Sequence, residues 1–275
     1  MQDERRAPGV RRMDGQVALI TGGGRGIGRA IALAFAQAGA QLVIADLRLD
    51  LAAEVESLID AAGGAALACG TDVTDPAGVA ELFARAVEHF GRIDVLVNNA
   101  GICPVTRFPE LDLAAWRRVF AVNVEGPLLT TRQAAAIMAR QERHRATGCR
   151  GKVINVSSPA AEVGRPLFAA YGASKAALNH VSKTSALVLA EQSIATTVLY
   201  PGSVMGPLWE AMLPDLVATE GRDADQILAE RRSEMPTGRF QSPEEVAGIA
   251  LYIAATPGMA LNGRLVWSEA HAAPL

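Results

Sequence analysis

Val17-Ala18-Leu19-Ile20-Thr21-Gly22-Gly23-Gly24-Arg25-Gly26-Ile27-Gly28 is the stretch on which the fold turns. Its first five residues make a short apolar run of strand length, and a helical pattern follows from about Gly26 to Ala38. Glycines placed there let the backbone turn tightly and approach a pyrophosphate. The helix start adds unpaired N–H groups and a positive dipole end. The spacing Gly22, Gly26, Gly28 departs from GxGxxG, and no Lys-Ser/Thr follows, which favours a dinucleotide over ATP.

Outward from this loop, short apolar runs alternate with helical stretches. Strands are expected at Gln41–Ala45, Ala65–Cys69, Ile93–Val97, Lys152–Val156, Ala195–Leu199 and Arg264–Trp267. Helices are expected at about Leu51–Ala62, Pro76–Phe90, after Tyr171 to roughly Gln192, and Pro243–Ala255, with a long helical region at about Leu113–Arg143. This order predicts an α/β fold: a single Rossmann-type, doubly wound domain of about seven parallel strands with helices on both faces. The domain is expected over 14–275, after a mobile leader over 1–13. A lid is expected at about 203–238, in irregular, Pro-interrupted helical pieces. The second strand ends at Asp46, 24 residues after Gly22, where a carboxylate can accept hydrogen bonds from ribose hydroxyls and repel a 2′-phosphate. That favours NAD over NADP, although Arg25 or Arg48 could serve a 2′-phosphate.

Half of the residues are hydrophobic, a fifth are charged, and the net charge is −3. That balance gives no reason to expect a nucleic acid or an anionic membrane as partner. No apolar run approaches the roughly 18 residues of a membrane helix. Cys69, Cys103 and Cys149 are odd in number and widely spaced, which points to a reducing cytoplasm. His89, His144, His180 and His271 have no metal-ligand spacing, and no metal is expected. The chain has only three lysines, Lys152, Lys175 and Lys183, and three tyrosines. An accidental Tyr171–Lys175 step of one helical turn is therefore rare, and the step puts both side chains on one face.

With these residues in view, the chain resembles the short-chain dehydrogenase/reductase family from about Gln16 to Trp267. Thr21–Gly28 matches TGxxxGIG, with Gly22, Arg25, Gly26, Ile27 and Gly28 as cofactor contacts beside Asp46. Asp72-Val73 matches the adenine-contacting pair, and Asn98-Asn99-Ala100-Gly101 matches NNAG. Pro201-Gly202 and nearby Val204 match the turn beside the nicotinamide. Gly238-Arg239 and Pro243–Ala247 match a late helix signature. Asn123, Ser158, Tyr171 and Lys175 match the catalytic tetrad. The resemblance implies a homo-oligomer, a tetramer or dimer, built on helices around 113–140 and 171–192.

Tyr titrates near 10, too high for a base at neutral pH. A lysine ammonium one turn away and a positive nicotinamide ring are expected to lower it. Tyr171 is then the acid–base group for an alcohol and its ketone, and Ser158, rather than Ser157, the hydrogen-bond donor to the substrate oxygen. The resemblance gives Lys175 a second task, holding the nicotinamide ribose, while Asn123 kinks its helix and holds a relay water. Pro127, four residues on, has no N–H for the Asn123 carbonyl.

Tyr200, Gly206 and the Trp267-Ser268-Glu269 ending depart from the family pattern. The basic stretch Arg140–Arg150 reads as a solvated loop. Met205, Leu208, Trp209, Met212, Leu213 and Phe168 suggest an apolar substrate or simple lid packing; Glu162 and Arg107 are candidates for meeting a polar group. The leading reading is an NAD-dependent secondary alcohol dehydrogenase or ketoreductase. Alternatives are an NADP-linked 3-oxoacyl thioester reductase and a non-catalytic nucleotide-binding sensor or scaffold.

Overall fold

The computed structural model describes residues 13–268. Strands β1 (Val17–Thr21), β2 (Gln41–Asp46), β3 (Ala66–Gly70), β4 (Val95–Asn98), β5 (Gly151–Val156), β6 (Ile194–Tyr200) and β7 (Leu265–Trp267) form one sheet in the order β3-β2-β1-β4-β5-β6-β7. Every neighbouring pair is parallel. Around it stand α1 (Gly26–Gln37), α2 (Leu49–Ala61), α3 (Pro76–Phe90), α4 (Leu113–Phe120), α5 (Gly126–Met138), α6 (Ala169–Ala190), α7 (Pro207–Glu220), α8 (Ala224–Ser233) and α9 (Pro243–Ala255).

Alternation along the strands explains the two layers. Ala18 and Ile20 of β1, with Leu42 and Ile44 of β2, pack with Ile31 and Phe35 of α1, Ile59 of α2 and Ile253 of α9. Val17, Leu19, Val43 and Leu96 face the other way, onto Leu82 and Phe83 of α3 and Met138 of α5. The strand order reverses between β1 and β4, which opens a crevice beyond their carboxyl ends.

Several expectations need correction. The long helical region expected over Leu113–Arg143 divides into α4 and α5 at a π turn over Ala121–Glu125, the place of the kink expected at Asn123; there the Gly126 N–H donates to the Ala121 carbonyl, and α5 ends at Met138. Pro127 removes the donor that the ordinary ladder needs at that point. Helix α6 starts at Ala169, so Tyr171 lies in its first turn rather than ahead of it. Helix α7 runs through Pro214 unbroken, and Asp223 caps α8 by accepting from the N–H groups of Asp225 and Gln226. The stretch Arg140–Arg150 is not simply solvated: Thr147 and Cys149 are buried, and the Thr147 carbonyl accepts from the Gly258 N–H at 2.7 Å. The expected leader lies outside the described residues except for Met13, which is fully buried and donates its N–H to Ala38.

Buried Lys152 of β5 fastens the far end of α9. Its Nζ donates to the carbonyls of Ile253 (3.1 Å), Ala254 (2.9 Å) and Thr256. These are the last-turn acceptors of a helix that packs against α1, which carries the glycine loop at its start. Lys152→Met removes the donor and leaves buried carbonyls unpaired, a loss of about 2 kcal/mol. Urea unfolding at neutral pH should show it as a lower midpoint; an unchanged midpoint would refute this role.

Candidate active site

The crevice is a cavity of about 530 Å³. One part is lined by Gly22, Arg25, Gly26, Ile27, Asp46, Asp72, Val73, Asn99, Ala100 and Gly101; farther on come Ser158, Tyr171, Lys175, Pro201, Gly202 and Val204. Two predicted site residues, Gly28 and Asn123, are not in its wall.

Gly28 acts by packing. A Cβ there would stand 2.1 Å from the Gly22 carbonyl oxygen and 2.6 Å from Asn99 Nδ2. Gly22 itself has φ +60°, where a side chain is strained. The loop is then sewn to β4: Asn99 Nδ2 donates to the carbonyls of Thr21 (3.0 Å) and Gly22 (2.9 Å). Thr21 Oγ1 accepts from the N–H groups of Asn99 and Ala100, both at 3.1 Å.

These features fit a dinucleotide. Helix α1 begins at Gly26 with no side-chain cap from Arg25, so its first N–H groups and dipole end remain for an anion. The Asp46 carboxylate accepts from Gly24 N–H and Arg48 N–H, each at 3.0 Å, which fixes it at the cavity wall. Arg48 is committed elsewhere, to Asp50 through bonds of 3.2 and 2.5 Å. Asp72 Oδ1 accepts from the Thr74 N–H and hydroxyl at 2.9 and 2.8 Å.

Tyr171 and Lys175 share a face of α6, with Lys175 Nζ 5.7 Å from the Tyr171 ring centre. Lys175 Nζ also donates to the Val156 carbonyl at 2.8 Å. Ser158 hydrogen-bonds the Tyr171 phenol, whereas the Ser157 hydroxyl donates to the Lys175 carbonyl at 3.5 Å. Asn123 sits fully buried behind them. Its Oδ1 accepts from Ile102 N–H (2.9 Å), and its Nδ2 donates to the Ile102 carbonyl and Ser174 Oγ (both 3.0 Å).

The expected lowering of Tyr171 by Lys175 is not what the protein alone produces. Burial pushes the Tyr171 phenol up, nearby Cys103 adds to this, and the Ser158 hydrogen bond pulls it back. Burial also pushes Lys175 down to about 8, which weakens the positive field that it offers the phenol.

Several contributors were not foreseen. The Gly202 N–H is held by Gln241 Oε1 (2.9 Å) and Ser268 Oγ (3.3 Å), and Gln241 Nε2 donates to the Ser268 carbonyl (2.8 Å). The altered ending therefore braces the Pro201-Gly202 turn. Tyr200 is fully buried, packed at a tilt against Trp267 with ring centres 4.5 Å apart, and donates to Glu162 Oε1 at 2.8 Å. Glu162 is thus used for structure, and Arg107 Nη2 binds the Thr219 carbonyl; neither lines the cavity. Met205, Leu208, Trp209, Met212 and Phe168 do, whereas Leu213 only packs beside them. Cys103, Arg165, Arg231 and Glu234 also reach the wall. No short-range signal marked these: a side chain on α8 faces the cavity only through tertiary packing.

A doubly wound sheet, a glycine loop braced by Asn99 and a Ser–Tyr–Lys cluster in one crevice define a nicotinamide-dependent oxidoreductase. The chain belongs to the short-chain dehydrogenase/reductase family: the short chain dehydrogenase profile matches residues 16–216. It acts on CH–OH groups with NAD or NADP. It is 36% identical to galactitol 2-dehydrogenase of Agrobacterium fabrum, over 88% of this chain and 91% of that one. It is 35% identical to a 3-oxoacyl-[acyl-carrier-protein] reductase of Synechocystis, over 89% and 91%. It also superimposes, with a TM-score of 0.82 and 30% identity over 95% and 98% of the chains, on a Beutenbergia cavernae protein. That protein is provisionally described as an NAD(P)-dependent gluconate 5-dehydrogenase, with NADP bound at low occupancy.

The Lys175 shift has a measurable consequence. Its folded pKa, about 8, lies below the ordinary 10.5, so the unfolded chain holds more protons between those values. Stability should rise with pH through that window as the cost of burying the ammonium is relieved. Urea midpoints of wild type measured relative to Lys175→Met should climb from about pH 8 toward 10; a flat difference would contradict the burial.

Proposed function

We propose that the chain is an NAD-dependent oxidoreductase interconverting a secondary alcohol and a ketone. The observation that carries this reading is the convergence of Ser158, Tyr171 and Lys175 on the cavity whose other end holds Asp46 and the glycine loop. When bound, the nicotinamide supplies the hydride acceptor or donor. Gly22, Gly26 and Ile27, with the start of α1, hold the pyrophosphate; Asp46 holds the adenosine ribose; Asp72 and Val73 border the adenine. Asn99, Ala100, Gly101, Pro201, Gly202 and Val204 frame the nicotinamide side, and Lys175 holds its ribose.

Tyr171 takes the hydroxyl proton in oxidation and returns it in reduction. Ser158 donates to the substrate oxygen, where negative charge develops. Because burial favours the neutral phenol, Tyr171 is well suited to donate, and its service as a base relies on positive charge gathered at the site. Asn123 is a positioning residue: its amide pins Ile102 and, through Ser174, the first turns of α6.

NAD is favoured because Asp46 faces the cavity while Arg48 is tied to Asp50. One feature supports an NADP-linked 3-oxoacyl thioester reductase instead: exposed Arg25 lines the cavity and could meet a 2′-phosphate. Exposed Leu187 and Val188 on α6 and Leu128 on α5 support a homo-oligomer, and three unpaired, buried cysteines support a reducing cytoplasm. Among the described residues, no helix is long and apolar enough to cross a membrane.

A panel of secondary alcohols and ketones, followed by nicotinamide absorbance with NAD(H) and NADP(H), should show higher kcat/KM with NAD(H). Tyr171→Phe should lower kcat by about 100-fold or more. Asp46→Ala should shift the cofactor ratio toward NADP. Full activity in Tyr171→Phe refutes the acid–base assignment, and a wild-type preference for NADP(H) refutes the cofactor reading.

A further inference from the structure

The loop between β5 and α6 and the lid helix α8 bring two guanidinium groups onto one carboxylate at the cavity wall. Arg165 Nη1 and Arg231 Nη1 both donate to Glu234 Oε2, at 3.0 and 3.1 Å. All three residues line the same cavity as Tyr171 and Ser158. The cluster carries two positive charges against one negative, so one positive charge is left over. An arginine has five N–H donors in a fixed fork. Each guanidinium spends one on Glu234, and among the described residues no other acceptor takes the rest. Arg231 keeps only 19% of its side-chain exposure, so bulk water satisfies it poorly.

The cavity that holds this cluster and Tyr171 also has apolar wall. Phe168 and Trp209 line the cavity and pack in one cluster with Tyr171 and Met212. The one cavity thus combines proton chemistry at Tyr171, apolar wall, and a surplus of unfilled guanidinium donors. Planar N–H forks match a carboxylate, and a concave site with low-dielectric walls focuses their field.

We infer that Arg165 and Arg231 form a carboxylate subsite, and that the substrate is a hydroxy acid or oxo acid with an apolar body between its carbinol and its carboxylate. This rests on the secondary-alcohol reading for the reaction, but the subsite itself stands on the cluster. Glu234 holds the two forks together when the subsite is empty, and the net charge of one that remains matches a single carboxylate.

The test compares matched pairs that differ only in charge: 5-oxohexanoate against 5-oxohexanamide, and 7-oxooctanoate against 7-oxooctanamide. Reduction by NADH gives kcat/KM, and quenching of nicotinamide fluorescence in the NADH complex gives affinity without turnover. The acid of at least one pair should be preferred at least tenfold, mainly through KM, and higher ionic strength should erode the preference. Arg231→Gln and Arg165→Gln should bring the acid-to-amide ratio toward one, and Arg231→Lys should recover part of it. The surface variant Arg145→Gln should leave the ratio where it is. An ion-pair cluster that only steadied the lid would change both members of a pair alike.

Equal affinity and equal turnover within both pairs, or a preference for the amides, overturns the subsite and leaves the oxidoreductase reading intact. Selective binding of the acid with no reduction of any ketone supports the subsite and counts against that reading. Absence of binding by all four compounds overturns the subsite.

Discussion

The Asn99 side chain closes a gap that the topology itself creates. Where β1 and β4 part at the reversal of strand order, the carbonyls of Thr21 at the end of β1 and of Gly22 just beyond it lose strand partners, and Asn99 Nδ2 donates to both. Thr21 returns the support by accepting two N–H groups from the β4 end. These four bonds fix the start of the glycine loop against the end of β4. They also explain Gly28, since the space for its side chain is already taken by the Gly22 carbonyl and the Asn99 amide. Disturbing this seam would move the anion-binding helix start and the Asn99–Gly101 wall together.

Much of this was readable because it is local. The run Val17–Gly28 contains strand, turn and helix start in one stretch, and Asp46 follows from where β2 must end. Tyr171 and Lys175 share a face through helical geometry alone, whatever surrounds them. The seven strands kept their positions to within a residue or two, because buried parallel strands are continuous apolar runs.

The features that escaped the reading depend on partners far away in sequence. Gln241 and Ser268 converge on Gly202 across 39 and 66 residues. Arg165 meets Glu234 across 69. Pro127 is visible in the sequence, but the π turn beside it also needs the Asn123 side chain to be drawn onto Ile102. Gly126-Pro127 marks a break in the helical pattern, but not the π geometry that the chain adopts there.

The site's electrostatics follow from the same burial that built it. Packing α6 over the sheet beside β6 places Lys175 Nζ on the Val156 carbonyl, and burial there depresses the Lys175 pKa and raises that of Tyr171. One helical turn therefore does not by itself make a phenolate. With Lys175 near 8, its charge near neutral pH is sensitive to what else enters the cavity. A cation beside the phenol favours proton removal from an alcohol, whereas a neutral neighbour leaves Tyr171 a proton donor suited to reducing a ketone. The scaffold thus holds the groups and their distances fixed, and the charge gathered beside the phenol tunes how readily it parts with its proton.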